Sequence, residues 1–182
     1  MRFCSVLALC VVFAAPCPAQ EPESNPELAD LYRADQADRD GSAKAIDWTV
    51  VGPRDKARQQ AVLRILQAGG VRSAADFHNA AMVFQHGSGA EDIQLAYALA
   101  TLSSRLAPDD KSMKWLQAAS WDRYLMRRGR PQWYGTQYQQ TKATMRFQLY
   151  PVDESAVTDE ERERMGVPSL SKAKEREAEF NK

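Results

Sequence analysis

Apolar residues recur at spacings of three and four along most of the chain, a pattern typical of amphipathic helices. The first helix begins with Asn25 as its N-cap and Pro26 as its first residue, and it extends to about Asp38. A connection follows at residues 42–52. Within that connection, residues 46–51 have the composition of a short strand.

Four more helices are predicted from apolar stripes that are bounded by capping residues, prolines and glycines. The second extends from Pro53 to the glycine pair at 69 and 70, the third from Ser73 to Gly87, the fourth from about Glu91 to Leu106, and the fifth from the break at 108–110 to about Arg128. Short loops join the last three helices, which therefore form two consecutive helical hairpins.

The pattern changes after Gly135. Residues 138–150 alternate partly between apolar and polar, which predicts one or two short strands. Thr158 and Glu161 resemble a capping box that opens a short helix ending at Gly166. The predicted fold class is therefore mainly α: about five core helices packed as helical hairpins, with a short β element after the fifth helix.

Residues 1–19 have the parts of a secretory signal peptide. Arg2 supplies the basic start, a mainly apolar run of thirteen residues follows from Phe3 to Ala15, and small residues precede an expected cleavage site after Ala19. The run is too short to span a bilayer comfortably. The sequence thus predicts a protein that is exported through a cleavable leader, to the periplasm or beyond the cell, with no membrane span.

All three cysteines (Cys4, Cys10 and Cys17) lie in this leader, so the mature chain would be free of cysteine and of disulfides. A lipoprotein signal is disfavoured because Leu9 and Pro16, which are not small residues, precede Cys10 and Cys17. The remaining chain divides into a flexible N-terminus at 20–25, a single helical domain at 26–170 and a charged tail at 171–182.

The charge balance argues against nucleic acid as a partner. The chain has 24 basic and 24 acidic residues, and the leader removes only Arg2, which leaves a net charge of −1. A protein with this balance lacks the strong positive field that attracts phosphate backbones or anionic membranes.

Several charged residues lie on the apolar faces of predicted helices. Asp122 is at the centre of the apolar stripe of the fifth helix, where an ionised carboxylate requires a partner. Asp35 and Arg39 extend the stripe of the first helix as an i, i+4 pair, and Arg58 does so on the second. These groups either converge on a polar pocket or form a buried ion-pair network that locks the helices together.

His86 is predicted at the end of the third helix, beside Gln85. It is a candidate general acid or base, an anion contact, or only a helix terminator. His78 lies about two turns away, roughly 12 Å along a helix, so the two rings are poorly placed to share a metal. Without cysteines or an i, i+4 histidine pair, no metal site and no cofactor is expected.

The segment RPQWYGTQ (130–137) places several polar side chains just after the fifth helix. These polar side chains hold either a ligand or the backbone of the loop. The tryptophan and tyrosine of the segment either stack on a ligand or pin the loop to the core. The candidate ligand-binding residues are Gln85, Arg123, Gln132, Tyr134, Thr136, Gln137, Asp35 and Arg39, and the candidate catalytic residues are His86 and Asp122.

Three sequence blocks carry a resemblance to a known family: Asp35-Gln36 with Arg39, Gln85-His86, and Asp122-Arg123 followed by Gln132, Tyr134-Gly135-Thr136-Gln137. In these blocks, and in Pro151 to Asp153 and Arg164 to Leu170, the chain resembles a bacterial family known only as a domain of unknown function. The resemblance spans nearly all of the mature chain. It departs from the pattern after the histidine, where Gly87-Ser88 replaces the family's acidic residue.

Three functions follow from these residues. The first is an exported binding module whose polar pocket holds a small polar ligand or a peptide. The second is a hydrolase-type enzyme with His86 and Asp122 as its acid/base pair and Gln132 or Gln137 as an oxyanion donor. The third is a purely structural or interaction domain in which these residues are internal clamps. The sequence names neither a substrate nor a reaction.

Overall fold

The computed structural model describes residues 22–40, 46–140 and 145–182, and helices dominate it. The helices within these ranges are α1 (Pro26–Ala37), α2 (Trp48–Gln67), α3 (Ala74–Gln85), α4 (Ala90–Leu106), α5 (Lys111–Arg127), α6 (Asp159–Arg164) and α7 (Leu170–Glu179). Two strands, β1 (Tyr138–Gln140) and β2 (Phe147–Leu149), lie between α5 and α6. The predicted mainly α fold with a short β element after the fifth helix is confirmed.

Helices α3, α4 and α5 pack side by side in chain order, and α1 and α2 both pack against α3. Small residues allow α3 and α4 to approach closely, since Ala80, Ala81, Ala96 and Ala100 are fully buried. The rest of the core is aliphatic and includes Leu28, Val62, Leu99 and Leu116. These side chains exclude water between the helices, which is the main stabilising contribution to such a bundle.

The start of the described chain is tied to the α2–α3 junction. Asn25 caps α1 by accepting from Glu27 N and Leu28 N, and its own backbone N–H donates to Asp76 Oδ1 at 2.7 Å. Asp76 also forms a capping box with Ser73 at the start of α3. One buried carboxylate therefore caps one helix and fixes the entry of another.

The sequence prediction was wrong at the start of α2, which begins at Trp48 and not at Pro53. Residues 46–51 accordingly do not form a strand, and residues 42–45 lie outside the described chain. The Asp47 side chain caps the helix by accepting from Thr49 N, and Val51 is buried against the neighbouring helices. Capping and burial override the β propensity of this tryptophan- and valine-containing segment.

Strands β1 and β2 pair in antiparallel fashion, with Tyr138 opposite Leu149. Helix α7 packs on this hairpin: Tyr138 Oη donates to the carbonyl oxygen of Ala173 at 2.8 Å. Asn181 accepts from Phe147 N and donates to Phe147 O, so its amide completes the strand edge. Most of the predicted charged tail thus contributes a helix to the fold.

Within the described ranges, no helix combines the length and apolar character that crossing a bilayer requires.

Candidate functional site

A hydrogen bond between His86 and Asp35 joins α3 to α1. Asp35 lies near the end of α1 and is fully buried, and His86 is the C-cap of α3 with 16% of its side chain exposed. The imidazole Nδ1 is 2.8 Å from Asp35 Oδ2. Asp35 also accepts from Gln36 Nε2 and from Arg39 Nη1, so its carboxylate has three side-chain hydrogen-bond partners.

Arg39 and Arg58 extend this contact into a network that joins α1 to α2. Arg39 Nη2 and Arg58 Nη2 each lie 2.6 Å from an oxygen of Asp55, and Arg58 Nη1 is 2.8 Å from Asp38 Oδ2. Each guanidinium therefore contacts at least two carboxylates. For Asp35, Arg39 and Arg58, these are the contacts of a largely buried ion-pair network, and His86 lies at its edge.

The electrostatics of His86 favour a neutral imidazole. Burial lowers its pKa, the hydrogen bond and charge of Asp35 oppose that effect, and the positive charges of Arg39 and Arg123 lower it further. Because the partner of Nδ1 is a carboxylate, Nδ1 carries the proton and Nε2 carries a lone pair. Among the described residues, Nε2 has no hydrogen-bond partner, and it is not enclosed.

Asp122 is fully buried, and its carboxylate clamps the loop after α5. Oδ1 accepts from Trp133 N at 2.8 Å and Tyr134 N at 3.0 Å, while Oδ2 accepts from Thr136 N at 3.0 Å and Thr136 Oγ1 at 2.8 Å. Burial raises the pKa of Asp122, against the lowering effect of these four hydrogen bonds. The hypothesised His86–Asp122 pair is absent from these contacts, since His86 pairs with Asp35.

Gln132 is a second internal clamp. Its Nε2 donates to the carbonyl oxygens of Gln137 and Tyr150, at 3.0 and 2.8 Å, and its Oε1 accepts from Gln137 N at 2.8 Å. The side chain is completely buried. The hydrogen bonds of the Gln132 side chain, like those of Asp122, thus stabilise the conformation of the loop.

Arg123 connects the clamped loop to the end of α3. Nε donates to Gln137 Oε1 at 2.8 Å, and Nη1 donates to the carbonyl oxygen of Gln85 at 2.7 Å. Burial lowers the pKa of Arg123 to about 10, with further lowering from Arg127 and Arg39. The guanidinium is charged at neutral pH, and within the described chain it forms no ion pair with a carboxylate.

The buried Gln85 side chain holds α3 against α5. Its Nε2 donates to the carbonyl oxygen of Ala119 at 3.2 Å, and Gln137 Nε2 donates to the same oxygen at the same distance. Gln85 Oε1 is buried without a partner in the described chain. Gln85 is therefore a support beneath His86 and Arg123, and its amide is enclosed.

Tyr134 contributes to an aromatic cavity of about 230 Å³. Trp121 is central to this cavity, with ring centroids 5.0 Å from Trp133 and 5.1 Å from Tyr97. The rings pin the loop to α4 and α5. The hydroxyl of Thr136 is bound to Asp122, and Thr136 also lines a separate cavity of about 430 Å³ beside α7.

The structure adds two residues that the sequence analysis missed. Asp55 receives both Arg39 and Arg58, and its position three residues before Arg58 on the same helix face was an available signal. Arg162, in α6, is buried and donates to the carbonyl oxygens of Tyr134 and Trp133. Its role depends on a long-range contact for which the sequence has no local pattern.

In the described part of the chain, no group of three or more histidine, cysteine, aspartate or glutamate side chains is placed to hold a metal ion. The cluster around His86 consists instead of a hydrogen-bonded pair with Asp35 and guanidinium contacts, and the cluster around Asp122 consists of hydrogen bonds to the loop after α5.

The chain matches no protein-family model, no curated protein and no solved structure. The resemblance to a bacterial domain of unknown function stays a prediction from the motifs alone.

Proposed function

We propose that the protein is exported through its leader and acts outside the cytoplasm as a binding module for a small polar ligand or a peptide, with His86 at the centre of the site. Asp35 and Arg39 position the imidazole, and Arg123 flanks it. Asp122, Gln132, Thr136 and Gln137 are positioning residues that hold the loop supporting Arg123.

One observation carries this proposal: His86 uses Nδ1 internally and leaves Nε2 free. The hydrogen bond to Asp35 fixes the ring, and 16% of the His86 side chain meets solvent. By contrast, both oxygens of the Asp122 carboxylate are occupied and the side chain is fully buried. A fixed and partly exposed acceptor is the kind of group that gives a binding site its orientation and specificity.

The second candidate function is that of an enzyme, and the Asp35–His86 pair favours it. A carboxylate on Nδ1 orients a neutral imidazole as a general base, and burial lowers the pKa of His86 so that this neutral form prevails at neutral pH. No hydroxyl side chain hydrogen-bonds to His86 among the described residues. A hydrolase built on this pair would therefore activate water, with Asp35 in the role first assigned to Asp122.

The third candidate is a purely structural domain. The ion pairs of Asp35, Arg39, Asp55 and Arg58 support it, because they join α1 to α2 without any external group. It differs from a binding module in what His86 contributes. A structural role predicts that replacing His86 lowers only the stability, whereas a binding role predicts lost affinity in a folded protein.

Nuclear magnetic resonance with diglycine as the probe separates these functions. Nitrogen-15-labelled protein is titrated with the dipeptide while the His86 and His78 imidazoles and the amides of Gln85 to Gly87 are followed. Binding at the site shifts the His86 signals selectively and leaves His78 unmoved, and release of free glycine from the dipeptide indicates hydrolysis. The proposal is wrong if His86 responds no more than His78.

His86→Asn is the matched variant for this titration. Its amide nitrogen can replace Nδ1 as the donor to Asp35, so the network is retained while the free Nε2 acceptor is lost. A folded His86→Asn protein that no longer responds to diglycine supports binding through Nε2. An unchanged response in this variant contradicts it.

A further inference from the structure

Two side-chain atoms at the C-terminal end of α3 have unused hydrogen-bonding capacity of opposite kinds. His86 Nε2 is an acceptor without a partner, and Arg123 Nη2 is a charged donor that no hydrogen bond of the described chain uses. The 2.7 Å bond from Arg123 Nη1 to the carbonyl oxygen of Gln85 holds the guanidinium against the residue that precedes His86. Donor and acceptor thus belong to one short stretch of surface.

Two arginines reach this stretch without an ion-pair partner in the described ranges. Arg127, one turn beyond Arg123 on α5, directs Nη2 toward the carbonyl oxygen of Gly87 at 3.5 Å. Neither arginine forms an ion pair with a carboxylate in the described ranges. Arg39 already has Asp35 and Asp55 as partners. The carboxylate of Asp92 lies beside Gly87, where it accepts from Gly89 N at 3.1 Å, and it forms no ion pair with Arg123 or Arg127 within the described ranges.

Capping of α3 explains only part of this arrangement. Basic side chains commonly donate to the last carbonyl groups of a helix, whose dipole end amounts to roughly half of one negative charge. Two full positive charges exceed that amount. Capping also uses only Nη1 of Arg123, which donates to the carbonyl oxygen of Gln85. Nε donates instead to Gln137 Oε1, and Nη2 donates to no group of the described chain.

We infer that the ligand of this site is a carboxylate with an adjacent N–H donor, as in the carboxyl terminus of a peptide or an N-acylated amino acid. Arg123 Nη2 donates to the carboxylate in a charge-assisted hydrogen bond, and His86 Nε2 accepts from the N–H. This inference rests on the proposed function and names its ligand class. Sulfate fits less well, because it has no hydrogen-bond donor and the neutral imidazole would direct its lone pair at another acceptor.

The test compares three probes on the nitrogen-15-labelled protein: N-acetylglycine, its neutral isostere N-acetylglycinamide, and acetate. The expected order is N-acetylglycine tightest, with a preference over the amide of about tenfold, the size of one charge-assisted hydrogen bond. Acetate is expected to bind more weakly, because it offers Nε2 no N–H. Acetate binding as tightly as N-acetylglycine would assign the site to simple carboxylates and overturn the donor half of the inference.

Two variants assign the preference to Arg123. Arg123→Gln is expected to bind the acid and the amide equally, whereas Arg128→Gln, which removes one charge from the exposed end of α5, is expected to keep the preference. Should Arg123→Gln fail to fold, the three-probe comparison on the unaltered protein still decides the inference.

The failures of the two proposals differ. Equal binding of acid and amide at His86 overturns the carboxylate inference and leaves the binding module intact. If none of the three probes shifts the His86 signals, both the carboxylate inference and the proposed function are wrong.

Discussion

His86 Nδ1 lies 2.8 Å from Asp35 Oδ2, a contact that spans 51 residues of sequence and joins the end of α3 to α1. It gives the imidazole a defined tautomer and leaves Nε2 pointing away from the bond to Asp35. The same carboxylate accepts from Arg39, which in turn contacts Asp55 on α2. The orientation of His86 therefore depends on three helices at once.

The Asp122 clamp should dominate the stability of the loop after α5. In Asp122→Asn, one carboxylate oxygen becomes an NH₂ group that faces donors, and at least one buried N–H of Trp133, Tyr134 or Thr136 loses its acceptor. We expect a loss of about 3 kcal/mol in the free energy of unfolding. Urea denaturation measures it, with the exposed Asp153→Asn as control; equal losses in the two variants would contradict the clamp.

The ion-pair network predicts a comparable effect at Asp55. Asp55→Asn removes the charge that faces both Arg39 Nη2 and Arg58 Nη2 at 2.6 Å. Leaving buried guanidinium groups without their carboxylate should lower the free energy of unfolding by about 3 kcal/mol. Asp40→Asn changes an exposed residue three positions after α1, and it should alter the free energy of unfolding little in the same denaturation experiment. A stable Asp55→Asn variant would show that the network does not lock α1 to α2.

The pH dependence of stability should carry the signature of His86. Burial, opposed by Asp35 and reinforced by Arg39 and Arg123, lowers the folded-state pKa below the ordinary value of 6.5. The unfolded chain then binds a proton at a higher pH than the folded chain, so stability falls as the pH drops through 6.5 toward the folded pKa.

His86→Asn isolates this contribution, because His78 is also partly buried with a lowered pKa and remains in both proteins. The stability of the variant, measured by denaturant titration at several pH values, should fall less steeply on acidification than that of the unaltered protein. Parallel curves would mean that the pKa of His86 is the same in the folded and unfolded chains.

The export hypothesis makes a prediction that is independent of the fold. Protein recovered from outside the cytoplasm should have the mass of a chain that begins at Gln20, since small residues precede the expected cleavage after Ala19. Ala19→Arg should retain the leader, because a long charged side chain does not suit that position. Mass spectrometry distinguishes the two products, and an uncleaved protein in the cytoplasm would refute the export hypothesis.

Local patterns predicted the helices well where a cap and an apolar stripe coincide. Ser73, Asp110 and Thr158 each cap a helix through the side chain, and the residues between the caps show the expected periodicity. The start of α2 was missed because its first turn contains β-branched residues and its proline lies inside the helix. The burial of Val51 is a tertiary effect, and it favours a helical over an extended conformation in that segment.

The sequence indicated which polar residues face inward at the candidate site better than it indicated which of them contact one another. A carboxylate at the centre of the α5 stripe indicates a buried partner, and the partner proved to be the backbone of the loop 133–136. Nothing in the sequence pairs His86 with Asp35 in preference to Asp122, because the choice depends on how α1 packs on α3. The unpaired state of Arg123 likewise follows only from the contacts of the folded chain.

The central claim is that Asp35 holds His86 as a neutral ring whose Nε2 is free to accept from a ligand. A long-range proton–nitrogen spectrum of the imidazoles, recorded with and without N-acetylglycine, tests it most directly. We expect a proton on Nδ1, none on Nε2, and a selective shift of the Nε2 signal as the probe is added. A proton on Nε2, or an Nε2 signal that ignores the probe, would contradict it.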